Sequence, residues 1–277
     1  MTRARLAWNS VALAVLAVLI FPVYWMVSTA FQPDDDINRL TPKWFPIHPT
    51  IRHFRDAIDR PYFWSSVVNS VIIVSVTVVI SITLAFLAAV ALAKFRFVGR
   101  KAFIVGLIAI QMLPQVGLII PLYVVLAKYQ LTKNQYVLIG VIITYMTFAL
   151  PFAVWTLRGF LLNIPKELEE AAMVDGSSRV GAFVRILLPL VAPGLVATSV
   201  FVFITSWNEF IFAYVLLSDQ SKQTVTVWLS DFYGTSRQID WGGLMAASTL
   251  TAIPVVIFFL LVQRKIAFGL TSGAVKG

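Results

Sequence analysis

The chain has 277 residues, of which 59% are hydrophobic and 13% are charged, and its formal net charge is +9 at pH 7. Together with a mean hydropathy of +0.84, this composition excludes an ordinary soluble domain and places the chain in the membrane class. There is no cysteine and there are only two histidines, so we expect no disulfide, no thiol nucleophile and no metal site.

Six apolar runs are long enough to cross a bilayer core, which takes about 20 helical residues. We therefore predict an all-α fold, a polytopic membrane protein with six transmembrane helices in one domain, residues 1–277. The basic residues flank these runs and form no single patch, so we expect a lipid bilayer and no nucleic acid as a partner. The predicted spans are residues 6–31, 67–93, 102–126, 136–157, 191–217 and 244–262.

The first span follows Arg3 and Arg5 and is longer than the apolar core of a signal peptide, which has about 7 to 15 residues. We expect it to be retained, with cleavage after residues 28–30 as the alternative. The polar loop that follows carries the acidic triplet Asp34-Asp35-Asp36, which lacks the spacing of a calcium loop. We interpret the triplet as solvated acids on an external loop.

The second span is followed by a basic loop, residues 94–101, that contains Lys and Arg but no acid. Such a loop is typical of the cytoplasmic side. With this assignment the inner segments hold 13 of the 22 Lys and Arg residues, so we expect both termini in the cytoplasm. Pro114 and Pro121 lie inside the third span and are predicted to kink it, because proline removes a backbone hydrogen bond.

The loop between the fourth and fifth spans, residues 163–189, is a long polar interruption with an ordered pattern. We predict that a helix opens at Pro165, because proline is favoured at the first helical position, and that the acids of its first turns complement the helix dipole. Leu168, Ala171 and Ala172 share one face through their three- and four-residue spacing. We expect this face to meet a partner.

Asp175 and Gly176 are predicted to end this helix, because glycine adopts the left-handed C-terminal turn without strain. Ser177 or Ser178 can then cap a second helix, which Pro189 is predicted to close at the membrane edge. An interfacial amphipathic helix without a partner is the alternative interpretation of this loop.

The same loop resembles the EAA loop of the membrane subunits of binding-protein-dependent ABC importers. The residues that carry the resemblance are EAA at 170–172, Gly176, Ile186 and the Leu-Pro pair at 188–189. It implies a cytoplasmic coupling helix that docks on a separate ATPase subunit. The residues to which the resemblance assigns this coupling are Glu170, Ala171, Ala172, Asp175, Gly176, Leu188 and Pro189.

Three further stretches are similar to the carbohydrate branch of these importers, and in particular to its maltose-type second membrane subunit. They are WNEF at 207–210, Asn69-Ser70, and the C-terminal GLTSGAVKG. The resemblance implies a heterodimer with a second permease, two copies of a cytoplasmic ATPase, an extracytoplasmic solute-binding protein and a sugar substrate, in a bacterial or archaeal plasma membrane. It also implies a second ATPase contact in the tail, at Gly273, Ala274, Val275, Lys276 and Gly277.

No Gly-Lys pair occurs in the chain, so a phosphate-binding loop is excluded. We expect no catalytic residue and no cofactor on this chain, with ATP and Mg bound by the partner ATPase. For the substrate path we expect polar and aromatic residues inside or at the ends of spans, and an acid there should face a water-filled path, a polar partner or the membrane interface. The candidates are Asn69, Gln111, Tyr145, Trp207, Asn208 and Glu209.

Other interpretations stay open at this point. The polar candidates can equally be interhelical hydrogen bonds, and Trp207 an interface anchor. An importer of a polyol or glycerol phosphate has the same architecture as a sugar importer. An ion-coupled secondary transporter would need ionisable residues in the membrane, where Glu209 is nearly alone. A scaffold protein whose inner loop binds a cytosolic partner is the third possibility.

Overall fold

The structure is a computed structural model that describes residues 3–233 and 239–271. Within these residues all regular structure is helical, so the all-α prediction is confirmed. The helices are α1 (Arg3–Ala30), α2 (Asp34–Ile37), α3 (Arg52–Asp59), α4 (Phe63–Lys94), α5 (Arg100–Gln111), α6 (Ile119–Lys128), α7 (Val137–Leu162), α8 (Glu167–Val174), α9 (Arg179–Ala182), α10 (Leu188–Trp207), α11 (Ile211–Leu216), α12 (Val225–Ser230) and α13 (Trp241–Thr271).

Five helical stretches in the described part of the chain are long and apolar enough to cross a membrane. A sixth crossing is supplied by α5 and α6 together, if this bent pair counts as one span. The first, second, fourth and sixth predicted spans coincide with α1, α4, α7 and α13. The third and fifth differ from the prediction in ways that shape the functional regions.

The core is built around α4 and α7, which pack along each other, while α10 lies against both and α13 joins α10 to α1. Small residues line the inner half of this core, including the fully buried Ala85, Ala89 and Ala153. Small side chains let membrane helices approach closely, which is the main source of packing energy where lipid removes the hydrophobic drive between helices. The bundle is therefore tightest where α4, α7 and α10 meet.

The third span is broken, not merely kinked. Helix α5 ends at Gln111, Pro114 follows in an extended conformation, and α6 continues at an angle of 101° to α5. The predicted kink at Pro121 is wrong. Pro121 lies in the first turn of α6, where the backbone N–H groups have no partner within the helix, so a proline there removes no hydrogen bond.

The fifth span begins and ends earlier than predicted. One continuous helix runs from α9 through a π turn at Phe183–Leu187 into α10, and it ends at Trp207. The prediction that Pro189 closes the loop is therefore wrong, because Pro189 lies in the first turn of α10. The π turn directly before it changes the hydrogen-bond register, which accommodates the bond that proline cannot make. After residues 208–210 the chain resumes as the short helix α11.

The acidic triplet of the first outer loop is only partly solvated. Asp34 and Asp35 are exposed, but Asp36 is 4% exposed and both its oxygens accept hydrogen bonds from the Lys43 ammonium at 2.8 Å. This hydrogen bond holds the pKa of Asp36 below its ordinary value. The expectation of three solvated acids is wrong for Asp36, because the loop folds back and gives it a cationic partner.

Candidate functional site

Helix α8 lies in the loop that the sequence identifies as the coupling loop, and it starts slightly later than predicted. Pro165 precedes the helix, which begins at Glu167 after Lys166 as the N-cap. The carbonyl of Lys166 accepts the N–H groups of Glu169 and Glu170 at 3.0 and 3.1 Å. The three glutamates occupy the first turn as predicted, where the helix dipole stabilises negative charge.

The C-terminal end of α8 confirms the prediction for Gly176. Its φ is +88°, in the left-handed region, and the N–H of Ser177 reaches the carbonyl of Ala172 at 2.9 Å while that of Gly176 reaches Met173 at 3.1 Å. These two bonds form a Schellman motif. A Cβ added to Gly176 would meet nothing within 4 Å, so the need for glycine is conformational and not one of space.

The next helix is capped by Ser178, one of the two serines proposed for this role. Its hydroxyl accepts the backbone N–H of Gly181 at 3.1 Å. Leu188 packs against the inner core, and Pro189 beside it is exposed at the start of α10. These two residues of the predicted coupling set therefore belong to the fifth span rather than to the coupling helix.

The exposed surface of α8 matches the face predicted from the sequence only in part, because Leu168 and Ala171 are exposed and Ala172 is not. Ala172 is 6% exposed and is covered by the protein itself, because α8 packs on α9 and on the π turn. Four exposed residues at helical spacing form what we call the docking face: Glu167, Glu170, Ala171 and Val174. Val174, the last residue of α8, is 87% exposed, so an apolar side chain is fully accessible at the C-terminal end of this face.

One ion pair fixes α8 to the membrane bundle. The Lys94 ammonium at the end of α4 binds the Glu169 carboxylate, and their side chains are 15% and 26% exposed. Partial burial strengthens such a pair relative to a fully solvated one. The contact also places the basic loop after α4 and the coupling loop at the same end of the bundle, as the orientation argument requires.

A cavity of about 600 Å³ lies at the break of the third span, bounded by α7, α10 and α11. It brings together four of the six predicted path residues: Gln111, Tyr145, Asn208 and Glu209. The cavity is also lined by two phenylalanines that were not among the predicted residues, Phe152 and Phe201. Their rings are stacked, with 3.7 Å between the ring centroids.

Glu209 has a local structural role at this cavity. Its carboxylate accepts the N–H groups of Phe212 at 2.8 Å and Ala213 at 3.1 Å, which are free donors at the start of α11. Asn208 donates to the carbonyl of Ile204 at 2.9 Å. The WNEF stretch thus ends one helix and starts the next. A polar partner, one of the surroundings predicted for Glu209, is present in the form of backbone N–H groups.

Tyr145 places a buried hydroxyl beside Glu209 at this cavity. The hydroxyl meets hydrogen-bond geometry with no group in the described part of the chain. A buried polar atom without a partner is unfavourable unless a ligand or water satisfies it. The hydroxyl is therefore a candidate contact for a molecule in the cavity.

Asn69 and Trp207 lie outside this cavity. The Asn69 amide donates to the carbonyls of Ser221 at 2.9 Å and Gln223 at 3.2 Å, which ties α4 to the outer loop. Trp207 is buried and stacks on Phe203. Asn69 therefore makes hydrogen bonds within the protein, although to a loop and not to another helix, and Trp207 is packed inside the protein, unlike an interface anchor. The tail residues predicted to contact the ATPase, 273–277, lie outside the described residues.

Comparison with known proteins connects both regions to transport. A family model described as "Binding-protein-dependent transport system inner membrane component" matches residues 81–272, which include the coupling loop and most of the cavity.

Several characterised relatives match along almost their entire length. The diacetylchitobiose uptake system permease protein DasC of Streptomyces coelicolor is 45% identical over 98% of this chain and 97% of its own. The trehalose transport system permease protein SugB of Mycobacterium tuberculosis is 34% identical over 98% of this chain and 97% of its own. The trehalose/maltose permease protein MalG of Thermococcus litoralis is also 34% identical, over 96% and 95%.

The fold is shared with a solved structure. A chain of a bacterial ABC transporter involved in the import of the acidic polysaccharide alginate superposes with a TM-score of 0.76, at 21% identity, over 95% of this chain and 98% of that chain. At this level of identity the match supports the architecture alone.

Proposed function

The chain belongs to the family of binding-protein-dependent transport system inner membrane components, and from this premise we propose how it works as one membrane subunit of an ATP-driven sugar importer. It is a transport subunit and not an enzyme. The proposal concerns its partners, its orientation and its substrate. ATP and Mg are assigned to a separate ATPase chain.

The observation that carries the proposal is the docking face of α8. Four residues at helical spacing stand exposed on a short helix whose other side is held by the chain itself. An amphipathic helix of this kind is a common recognition element for a groove on a partner. In the proposed arrangement the two ATPase subunits close when they bind ATP, and this movement displaces α8. The displacement is transmitted to α4 through the ion pair of Lys94 and Glu169, and to α10 through the capped turn at Gly176.

The remaining partners follow from family membership. We propose a heterodimer with a second permease, two copies of the ATPase and an extracytoplasmic solute-binding protein. Both termini and α8 then lie in the cytoplasm, since the basic loop after α4 pairs with α8 and positive loops favour that side. The tail residues 273–277 are retained as a second candidate contact with the ATPase.

The proposed substrate is a sugar or oligosaccharide. The three relatives above are named for the sugars diacetylchitobiose, trehalose and maltose. The cavity volume of about 600 Å³ falls in the usual range of small-molecule sites, roughly 300–1,000 Å³. Gln111 and Tyr145 offer hydrogen bonds, and Phe152 and Phe201 offer apolar surface for a sugar ring. We propose this cavity as this subunit's share of the translocation path.

The cavity also bears on the alternatives. None of the described residues that line it is Lys or Arg, whereas a phosphate ester requires cationic partners, so glycerol phosphate is disfavoured relative to a neutral sugar or polyol. The carboxylate of Glu209 is engaged by two backbone N–H groups, which argues against its use as the site of ion coupling.

The test is reconstitution of the chain with its genetic neighbours, a second permease and an ATPase, in vesicles that contain the binding protein. Labelled disaccharide should enter only with ATP present, and a catalytically inactive ATPase should stop uptake. Uptake by this chain alone, driven by an ion gradient and without ATP, would refute the proposal.

A further inference from the structure

Three side chains that are far apart in the sequence converge at the outer end of the molecule. Asp34 opens α2, His53 lies in α3, and Asp240 directly precedes α13. Their candidate ligand atoms all lie within 4.8 Å of one another. No sequence spacing could have shown this group, because it joins residues separated by nearly the whole chain.

The imidazole of His53 is the centre of the group. The residue is 4% exposed, and its Nε2 lies 2.9 Å from the carbonyl oxygen of Gln32 and 3.6 Å from Oδ1 of Asp34. A ring nitrogen carries at most one proton, yet two oxygens lie near this one. The two measured distances are close to the spacing of atoms that share a metal ion. At a bond length of about 2.1 Å, neighbouring ligands are about 3.0 Å apart in octahedral and about 3.4 Å apart in tetrahedral geometry.

Asp240 has a free oxygen for the same purpose. Its Oδ1 accepts the N–H of Gly243 at 2.8 Å and so caps α13, while Oδ2 has no hydrogen bond from the described residues. A carboxylate can keep the cap with one oxygen and bind a metal with the other.

The first turn of α13 is shaped to hold the histidine ring. A Cβ at Gly242 would lie 2.3 Å from Cε1 and 2.5 Å from Nε2 of His53, and one at Gly243 would lie 2.2 Å from Oδ2 of Asp240. Any other residue at these two positions would displace the ring or the carboxylate. The two glycines therefore permit the close approach on which the cluster depends, and this feature is independent of the charges.

We propose that His53, Asp34 and Asp240, with the carbonyl of Gln32, form a binding site for one divalent cation of the zinc class at the outer face of the protein. One imidazole nitrogen among oxygens suits Zn²⁺, whereas Ca²⁺ and Mg²⁺ select oxygen ligands alone. The ion would join α2 and α3 to the start of α13, which packs on both, while α2 and α3 also share the ion pair of Asp34 with Arg52. Its role is structural, and it is distinct from sugar transport.

The experiment uses the complex of this chain with its partner subunits, purified in detergent through a tag without histidine. The sample is stripped with EDTA, the chelator is removed, and Zn²⁺ alone is added in a titration followed by metal analysis. The thermal unfolding midpoint is recorded with and without Zn²⁺. We expect the wild-type complex to bind one Zn²⁺ per copy of this chain, and we expect the variants below to lose this ion. The thermal unfolding midpoint of wild type should be higher with the metal.

The variants are His53→Gln, Asp34→Asn and Asp240→Asn, with His48→Gln as the matched control, since His48 is the only other histidine. Asp34 is exposed, so Asp34→Asn tests the site without a risk to folding, and Asn at 240 can still cap α13. Binding should weaken at least tenfold in the three site variants and stay unchanged in His48→Gln. Equal binding in wild type and in Asp34→Asn or His53→Gln, or no stoichiometric Zn²⁺ in wild type, would overturn the proposal and leave His53 as a hydrogen-bond donor to Gln32.

Discussion

The two ends of the bundle are built on different principles. At the outer end, short helices are tied to the long ones by buried side chains: the hydroxyl of Ser70 accepts the N–H of Val225 at 2.8 Å, and the Trp228 indole donates to the carbonyl of Pro61 at 3.0 Å. At the inner end, α8 ends in its own turn at Gly176, and besides its packing on α9 and the π turn it is tied to α4 by the ion pair of Lys94 and Glu169.

This difference follows from the surroundings of each end. Backbone groups that enter an apolar region must be hydrogen-bonded within the protein, because neither lipid nor a packed core offers a substitute. In the proposed topology the coupling loop lies in the cytoplasm, so local caps suffice for its backbone and its outward surface is left for another protein. The outer end is therefore completed by this chain, and the inner end awaits a partner.

The largest effect is expected from Gly176→Val. A residue with a Cβ in the left-handed region costs about 1–2 kcal/mol, and more when it is β-branched. This cost lowers the equilibrium constant for the native loop conformation by roughly 5- to 30-fold. We expect ATP-driven uptake in vesicles to fall at least tenfold at normal protein levels. Gly159→Val is the control, since Gly159 also has open space but lies in an ordinary helix.

Glu170→Lys tests the charge of the docking face in the same assay. Glu170 is exposed, so the reversal should leave folding intact while it weakens attachment of the ATPase and uncouples transport. The measurement is the amount of ATPase that copurifies with the membrane subunits. Normal uptake at normal protein levels would show that Glu170 does not contact the ATPase.

At the outer end the expected defect is one of stability and not of coupling. Ser70→Ala leaves the N–H of Val225 buried without an acceptor, which costs about 1–3 kcal/mol. The unfolding midpoint in detergent should fall, whereas the ATP hydrolysed per sugar should not change in the folded fraction. Thr83→Ala is the matched control on α4, because its hydroxyl is exposed and bonds within its own helix. An unchanged midpoint in Ser70→Ala would remove the distinction between the two ends.

A smaller effect is expected from the ion pair at the inner end. Lys94→Glu and Glu169→Lys each place like charges together, and we expect a few-fold rise in ATP hydrolysed per sugar, in line with about 1 kcal/mol for a partly buried pair. The double exchange restores opposite charges and should recover most of the coupling. Lack of any recovery would mean that the two residues do not act on each other.

The smallest effect concerns pH and the first outer loop. The hydrogen bond from Lys43 lowers the pKa of Asp36, so the charged carboxylate stabilises the fold at pH values above its ordinary pKa of 3.8. This contribution is lost as the pH falls from that value through the lowered pKa of the folded state. Lys43→Met should remove it, so the variant's unfolding midpoint should change less than that of wild type across this pH range.

Local rules predicted the parts of the structure that depend on neighbours in sequence. The lengths of the apolar runs predicted the long helices. Gly176 and Ser178 predicted the turn after α8 and the cap of the next helix, and the polar residues near the third and fifth spans predicted four residues that line the cavity. The prediction failed where distant segments decide. Burial of Ala172 and the choice of Phe152 and Phe201 depend on packing between helices, and an apolar run offers no sequence signal for them. The cap that Glu209 forms on Phe212 and Ala213 is different, because it is a local contact that the sequence analysis did not predict.

The most direct test of the central claim is site-specific cross-linking from the docking face. The chain has no cysteine, so Val174→Cys introduces a single thiol at a position that is 87% exposed. Val98→Cys is the control, an exposed residue of the inner loop outside α8. With a short thiol-to-lysine reagent, the account predicts a product with the ATPase from residue 174 that changes in yield when ATP is bound. No product from 174, or an equal product from 98, would contradict it.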